Sequence, residues 1–166
     1  MLRTLVIIRH AKSDWSRAGQ ADFDRSLNER GLRDAPMMAE RLKQRGILPD
    51  IMLASAAKRT METARMMAEV FAAPEVVQEE PRMYNAAAET LRDVLQNAGI
   101  VPEITTVFLI AHNPGITYLA HELAPELQIA NMPTCGMLAV QADTEDWNNF
   151  LENQLRFYFF DYPKKQ

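Results

Sequence analysis

Two stretches of this chain read as strands buried on both faces, and each delivers a histidine at its carboxyl end. Residues 4–8 form a continuous β-branched and aliphatic run that breaks into Arg9-His10, and residues 106–111 form a second that breaks into His112. Strands apolar without alternation belong to sheets covered by helices on both sides. The intervening segments supply those helices. Asn28 is placed to cap a helix carrying Leu32, Ala35, Ala39 and Leu42, which stops at Gly46 and which Pro36 is expected to bend. A short strand at residues 51–54 precedes a helix over residues 58–71, where Ala64, Met67, Ala68 and Phe71 fall on one face. Val76-Val77 reads as a further short strand, and Leu91, Val94, Leu95 and Ala98 repeat the helical stripe before Gly99. A helical stretch runs to about Leu123, and residues 137–140 and 155–160 read as late strands around an acidic turn at residues 143–146. This alternation predicts an α/β fold, a three-layer α/β/α sandwich with a mostly parallel central sheet.

The composition is that of one globular domain over residues 1–166. The chain is 48% hydrophobic and 24% charged, with no repeat, low-complexity tract or Gly/Ser linker to mark a second unit. A formal charge of −4 gives no general attraction to nucleic acid or anionic lipid. The lone Cys135 makes neither an internal disulfide nor a cysteine-built zinc site, and it suits a reducing compartment. The apolar run at residues 5–8 is too short for a signal-peptide core, and no run approaches the roughly 20 residues of a membrane span. A monomeric cytoplasmic protein is expected.

In open α/β sheets ligands bind beyond the carboxyl ends of the strands. His10 and His112 both fall there, with Arg9 beside His10 and Arg59 at the start of the helix after the second strand. A guanidinium offers planar paired donors to phosphate oxygens, and an imidazole serves as nucleophile or donor to the same group. The set therefore points to a phosphoryl site. Asn113 as helix cap, with Pro114 at the first helical position, would add the partial positive charge of a helix N-terminus. His10, His112 and His121 have no short metal-ligand spacing, and the arginines would repel a cation, so neither metal nor cofactor is expected. His121, the Met37-Met38 and Met66-Met67 pairs and Cys135 read as packing residues, and Trp15 as a residue packed over the phosphate loop.

Arg9-His10-Ala11 after the first strand resembles the Arg-His-Gly fingerprint of the histidine phosphatase superfamily, which includes the phosphoglycerate mutases. The segment from Ser55 to Ala64, with Arg59, Thr63 and Ala64, resembles that family's Ser-Pro-x-x-Arg-x-x-x-Thr-Ala, and His112-Asn113-Pro114-Gly115 resembles the segment of its second histidine. With Lys12-Ser13-Asp14-Trp15 and the stretch from Asp24 to Gly31, the chain is most similar to the small phosphohistidine phosphatases of the SixA type. Ala11 in place of Gly and Ala56 in place of Pro are departures, and a β-carbon at position 11 would limit how closely the backbone meets a phosphate oxygen.

The resemblance implies in-line attack by neutral His10 on phosphorus, a transient phosphohistidine, and hydrolysis by water, while Arg9, Arg59 and His112 hold the equatorial oxygens. It also implies a phosphate contact from Arg25 and, by position relative to the mutases, a polar pocket role for Ser16. Monoester-cleaving relatives supply a glutamic acid after the third strand to protonate the leaving group. Here Glu79 and Glu80 stand nearby, but the sequence after them does not follow the mutase pattern. An imidazole leaves readily once protonated, so phosphohistidine on a signalling protein is the expected substrate, met at an open pocket with no lid insertion. The alternatives are a phosphomonoesterase or mutase acting on a small phosphorylated metabolite, and a phosphate-binding module without turnover.

Overall fold

The structure is a computed structural model describing residues 1–165; of the expected span 1–166, Gln166 lies outside the described residues. Its strands are β1 (Leu2–Arg9), β2 (Ile51–Ser55), β3 (Val77–Glu80), β4 (Thr106–Ala111), β5 (Met137–Asp143) and β6 (Arg156–Asp161). They form one sheet in the order β3-β2-β4-β1-β5-β6. The pairings of β3 with β2, β2 with β4 and β4 with β1 are parallel, whereas β5 runs antiparallel to β1 and β6 antiparallel to β5. The sheet is thus mostly parallel, as the alternation of elements required.

Alternate residues of the two central strands feed two separate cores, which explains why neither strand shows polar alternation. Leu5 and Ile7 of β1 join Val107 and Leu109 of β4 beneath α3 (Ala88–Asn97) and α4 (Gly115–Leu123). Val6 and Ile8 join Phe108 and Ile110 on the other face, beneath α1 (Glu29–Gln44) and α2 (Lys58–Val70). These are the three expected layers. The α1 cap is as read from the sequence, since Asn28 Oδ1 accepts from the Gly31 backbone N–H at 2.9 Å. Pro36 lies inside α1 without ending it. The edge strand β3 starts at Val77 and runs three residues beyond the expected Val76-Val77, because its polar Gln78, Glu79 and Glu80 pair with β2 through backbone alone. At the other edge β6 begins at Arg156 rather than Leu155.

Strand register positions the site. β1 and β4 pair in step from Thr4 opposite Thr106 to Arg9 opposite Ala111, so both strands stop at the same level. The His10 backbone N–H then donates to the Ala111 carbonyl at 3.1 Å, setting His10 and His112 side by side. Among the described residues no helix is long and apolar enough to cross a membrane.

Candidate active site

The carboxyl end of the sheet carries a cavity of about 230 Å³, into which Arg9, His10, Arg25, Arg59, His112 and Asn113 all project. The histidine rings stand with centroids 5.4 Å apart, and both residues are buried. His10 Nδ1 lies 2.6 Å from the Ala11 carbonyl oxygen, which can only accept. Nδ1 therefore carries the proton, and Nε2 keeps its lone pair. Burial, opposed by the hydrogen bond to Ala11 and assisted by the nearby His112, Arg59 and Arg9, lowers the His10 pKa to about 3. The ring is held neutral, as a nucleophile must be.

His112 is held neutral in the same way, its pKa lowered to about 3 by burial and by the charge of Arg59. Its Nε2 lies 2.7 Å from Ser55 Oγ, a hydroxyl that already accepts from the Ala57 backbone N–H. A hydroxyl accepts twice, so the proton of this bond belongs to either partner, and the bond leaves the other ring nitrogen, Nδ1, on its own. That Nδ1 has no hydrogen-bond partner, and neither do the Nε atoms of Arg9 and Arg59; among the described residues these three are the buried side-chain polar atoms in that condition. Buried polar atoms are rarely left unpaired. All three belong to residues that line the cavity, although the atoms themselves are closed to solvent, so the cavity wall concentrates positive charge that the protein's own acceptors leave partly unanswered.

The arginines are fixed by the rest of their hydrogen bonds. Arg9 Nη1 donates to the Met132 carbonyl at 2.8 Å. Arg59, only 3% exposed, donates from Nη1 to the Asp22 carbonyl and from Nη2 to Asp22 Oδ2. Arg25 donates from Nε and Nη2 to Asp22 Oδ1 and from Nη1 to Ser13 Oγ. Asp22 is thus the joint between two arginines, and Tyr84 adds a third tie by donating its hydroxyl to Oδ2 at 2.6 Å. Burial alone would raise the Asp22 pKa, but the hydrogen bonds from Tyr84, Arg25 and Arg59 and the Arg59 charge outweigh it, holding the carboxyl well below the usual carboxylate range.

Asp22 and Tyr84 were not legible as site residues in the sequence. The available signal was Asp22 standing three positions before Arg25, a spacing that makes a local ion pair; nothing local announces Arg59 or Tyr84 as further partners.

Other expected residues fall differently. Ser16 is exposed and outside the cavity, its backbone N–H turned to the Asp14 carboxylate at 2.8 Å; the hydroxyl that reaches the cavity is Ser13. Asn113 lines the cavity but does not cap α4, because Pro114 takes the flanking position. The Asn113 side chain instead donates to Asn131 and accepts from Thr117 Oγ1, tying α4 to the following loop. Glu79 and Glu80 lie on β3 away from the cavity, which is reached after that strand by Asn85. Ala11 points its methyl into the apolar core under α1 and α2, while its N–H donates to Thr63 Oγ1 at 3.1 Å. Its β-carbon therefore does not enter the phosphate cavity. Cys135 is fully buried, as expected of a packing residue. Among the described residues no group of three His, Cys, Asp or Glu side chains is arranged to hold a metal.

The fold and this arginine–histidine cavity define a class of protein. A family model of the histidine phosphatase superfamily (branch 1) matches residues 5–100, more than half of the chain, and the chain belongs to that superfamily. Within it, the fold is that of the small SixA-type members. The chain is similar to the structure of a protein named as a phosphohistidine phosphatase SixA from Agrobacterium tumefaciens, at 27% identity and a TM-score of 0.80, covering 97% of this chain and 98% of that one. It is also 33% identical over 153 residues to an uncharacterized chloroplastic protein of Arabidopsis thaliana, covering 87% of this chain and 69% of that relative. A metal-independent phosphoserine phosphatase of the same plant is 32% identical over 113 residues, which is 66% of this chain and 47% of that protein. The chain thus spans under half of the length of this last relative.

Proposed function

We propose that the protein is a metal-independent phosphatase that hydrolyses the N–P bond of phosphohistidine on a signalling protein, through a covalent phosphohistidine at His10. The observation that carries this reading is the pairing of a neutral His10, with its proton committed to the Ala11 carbonyl, and the cations Arg9, Arg25 and Arg59 that line the same cavity around it. Nε2 of His10 attacks phosphorus, the P–Nε2 bond forms as the bond to the leaving imidazole breaks, and the departing ring takes its proton from solvent. The guanidinium charges of Arg9 and Arg59 and the ring of His112 stabilise the charge that spreads over the equatorial oxygens. Water then attacks the phosphoenzyme, releasing phosphate and returning His10 to its starting form.

The choice of an N–P bond rests on the proton inventory. Among the described residues Asp22 is the carboxylate lining the cavity, and it is held ionised by its three partners, so it does not serve as a general acid near neutral pH. An alkoxide needs such an acid, whereas an imidazole protonated by solvent does not. Arg25, tied to Asp22 and Ser13, supports phosphate binding chiefly by its charge; Asn113 serves as a wall that fixes the loop. The reading takes the enzyme as a cytoplasmic monomer. A second reading, hydrolysis of a small phosphomonoester, is favoured by the similarity to the phosphoserine phosphatase.

The test compares phosphate release from a phosphohistidine-carrying protein and from a panel of alkyl phosphomonoesters, in chelator, with His10→Ala alongside. Faster release from the phosphohistidine protein, lost in the variant, supports the proposal. Preference for the monoesters favours the second reading, and loss of activity in chelator contradicts metal independence.

A further inference from the structure

Trp15 is 70% exposed, an unusual state for the largest apolar side chain, yet it is not loose. The guanidinium carbon of Arg25 sits 3.6 Å from the centroid of its ring, and Arg25 is itself only 7% exposed and pinned by Asp22 and Ser13. One face of the indole is therefore stacked on a buried, immobilised cation, and the high exposure means that the other face is open. The same residue forms part of the wall of the cavity that holds His10. A rigid aromatic plane with one free face, beside the site of phosphoryl transfer, offers contact area at little conformational cost.

We propose that the open face of Trp15 is a leaving-group subsite, onto which a planar ring attached to the phosphoryl group stacks. It rests on the reading of the cavity as a phosphoryl site, and deepens it by assigning the imidazole of phosphohistidine to a particular wall. The subsite binds ring-bearing phosphoryl compounds more tightly than aliphatic ones and does not take part in bond making or breaking.

Two non-hydrolysable probes separate this subsite from the chemistry: phenylphosphonate, which carries a ring, and methylphosphonate, which does not. Trp147, the second of the two tryptophans, is fully buried, so a change in the solvent-exposed emission reports Trp15. Phenylphosphonate is expected to quench that emission and to lose about 3- to 10-fold in affinity in Trp15→Ala, with partial recovery in Trp15→Phe. Methylphosphonate affinity is expected to stay within about twofold. Equal weakening of both probes would show that Trp15 acts only by holding Arg25, and unchanged phenylphosphonate binding would remove the subsite; either overturns the inference. The hydrolytic reading is judged separately, by turnover of a phosphohistidine-carrying protein: an enzyme that binds phenylphosphonate through Trp15 but does not release phosphate from that protein keeps the subsite and loses the proposed function.

Discussion

Two buried arginine sites stand at opposite ends of β1, and they differ in how completely the protein answers them. At the amino end Arg3, 1% exposed, donates to the carbonyls of Pro102, Ile104, Thr144 and Glu145 and lies against Trp147. It staples the start of β1 to the segments around β4 and β5. At the carboxyl end, among the described residues, the Arg9 side chain donates only to the Met132 carbonyl and that of Arg59 only to Asp22, and each keeps an Nε–H with no partner. Desolvating a cation without satisfying it is unfavourable, so the unanswered Nε–H groups set the carboxyl end apart from the amino end. The complete set of acceptors suits a structural arginine, and on the proposed function the incomplete set belongs to binding ones.

The sharpest break in the comparison comes from the residue that only the incomplete end possesses. His10→Ala is expected to lower turnover by roughly 10,000-fold or more while orthophosphate still binds, as checked by steady-state kinetics and calorimetry. Exchanging the two kinds of arginine is the next test. Arg59→Met is expected to lower kcat/KM by about 100-fold or more with a modest change in melting temperature, whereas Arg3→Met is expected to destabilise the fold by about 3 kcal/mol, with near-normal kcat in the folded fraction. Similar outcomes for the two variants would erase the distinction.

Asp22→Asn sharpens it further. The amide keeps the shape but cannot accept from Arg25, Arg59 and Tyr84 together, so the arginines lose their common anchor. A fall of about 10- to 100-fold in kcat is expected, with less change in orthophosphate affinity because the lost negative charge favours the anion. The same end of the molecule also sets a pH dependence. His10 and His112 have pKa values lowered to about 3 in the folded protein, below the ordinary value of 6.5, so the unfolded chain binds more protons in between. Stability from these groups is complete above pH 6.5 and is lost as pH falls toward 3. Melting curves from pH 7 to pH 4 should show this loss, and it should be shallower in His112→Gln.

The parts legible in the sequence were those set by periodicity and by contiguous motifs. β1 and β4 announced themselves because both faces of each strand are buried, and Asn28 because its capping geometry is local. The short edge strand β3 was legible only in part, since Gln78, Glu79 and Glu80 gain their strand pairing from β2 and not from their own side chains. The four polar residues at the strand and helix ends lie together as the motifs implied. What the sequence could not reveal was which loop side chains reach them: Asp22 and Tyr84 are separated by 62 positions and meet only through the tertiary fold. Asn113 read as a cap from its residue type, but the turn at Pro114 gives its side chain other partners.

The most direct test of the account is to quench the enzyme in base during turnover of a phosphohistidine-carrying protein and to locate the phosphoryl group by mass spectrometry and phosphorus NMR. The account predicts an acid-labile, base-stable phosphoryl group on His10, attached at Nε2 because Nδ1 is committed to the Ala11 carbonyl. Phosphorylation at another residue or at Nδ1, or turnover with no phosphoenzyme at any time point, would contradict it.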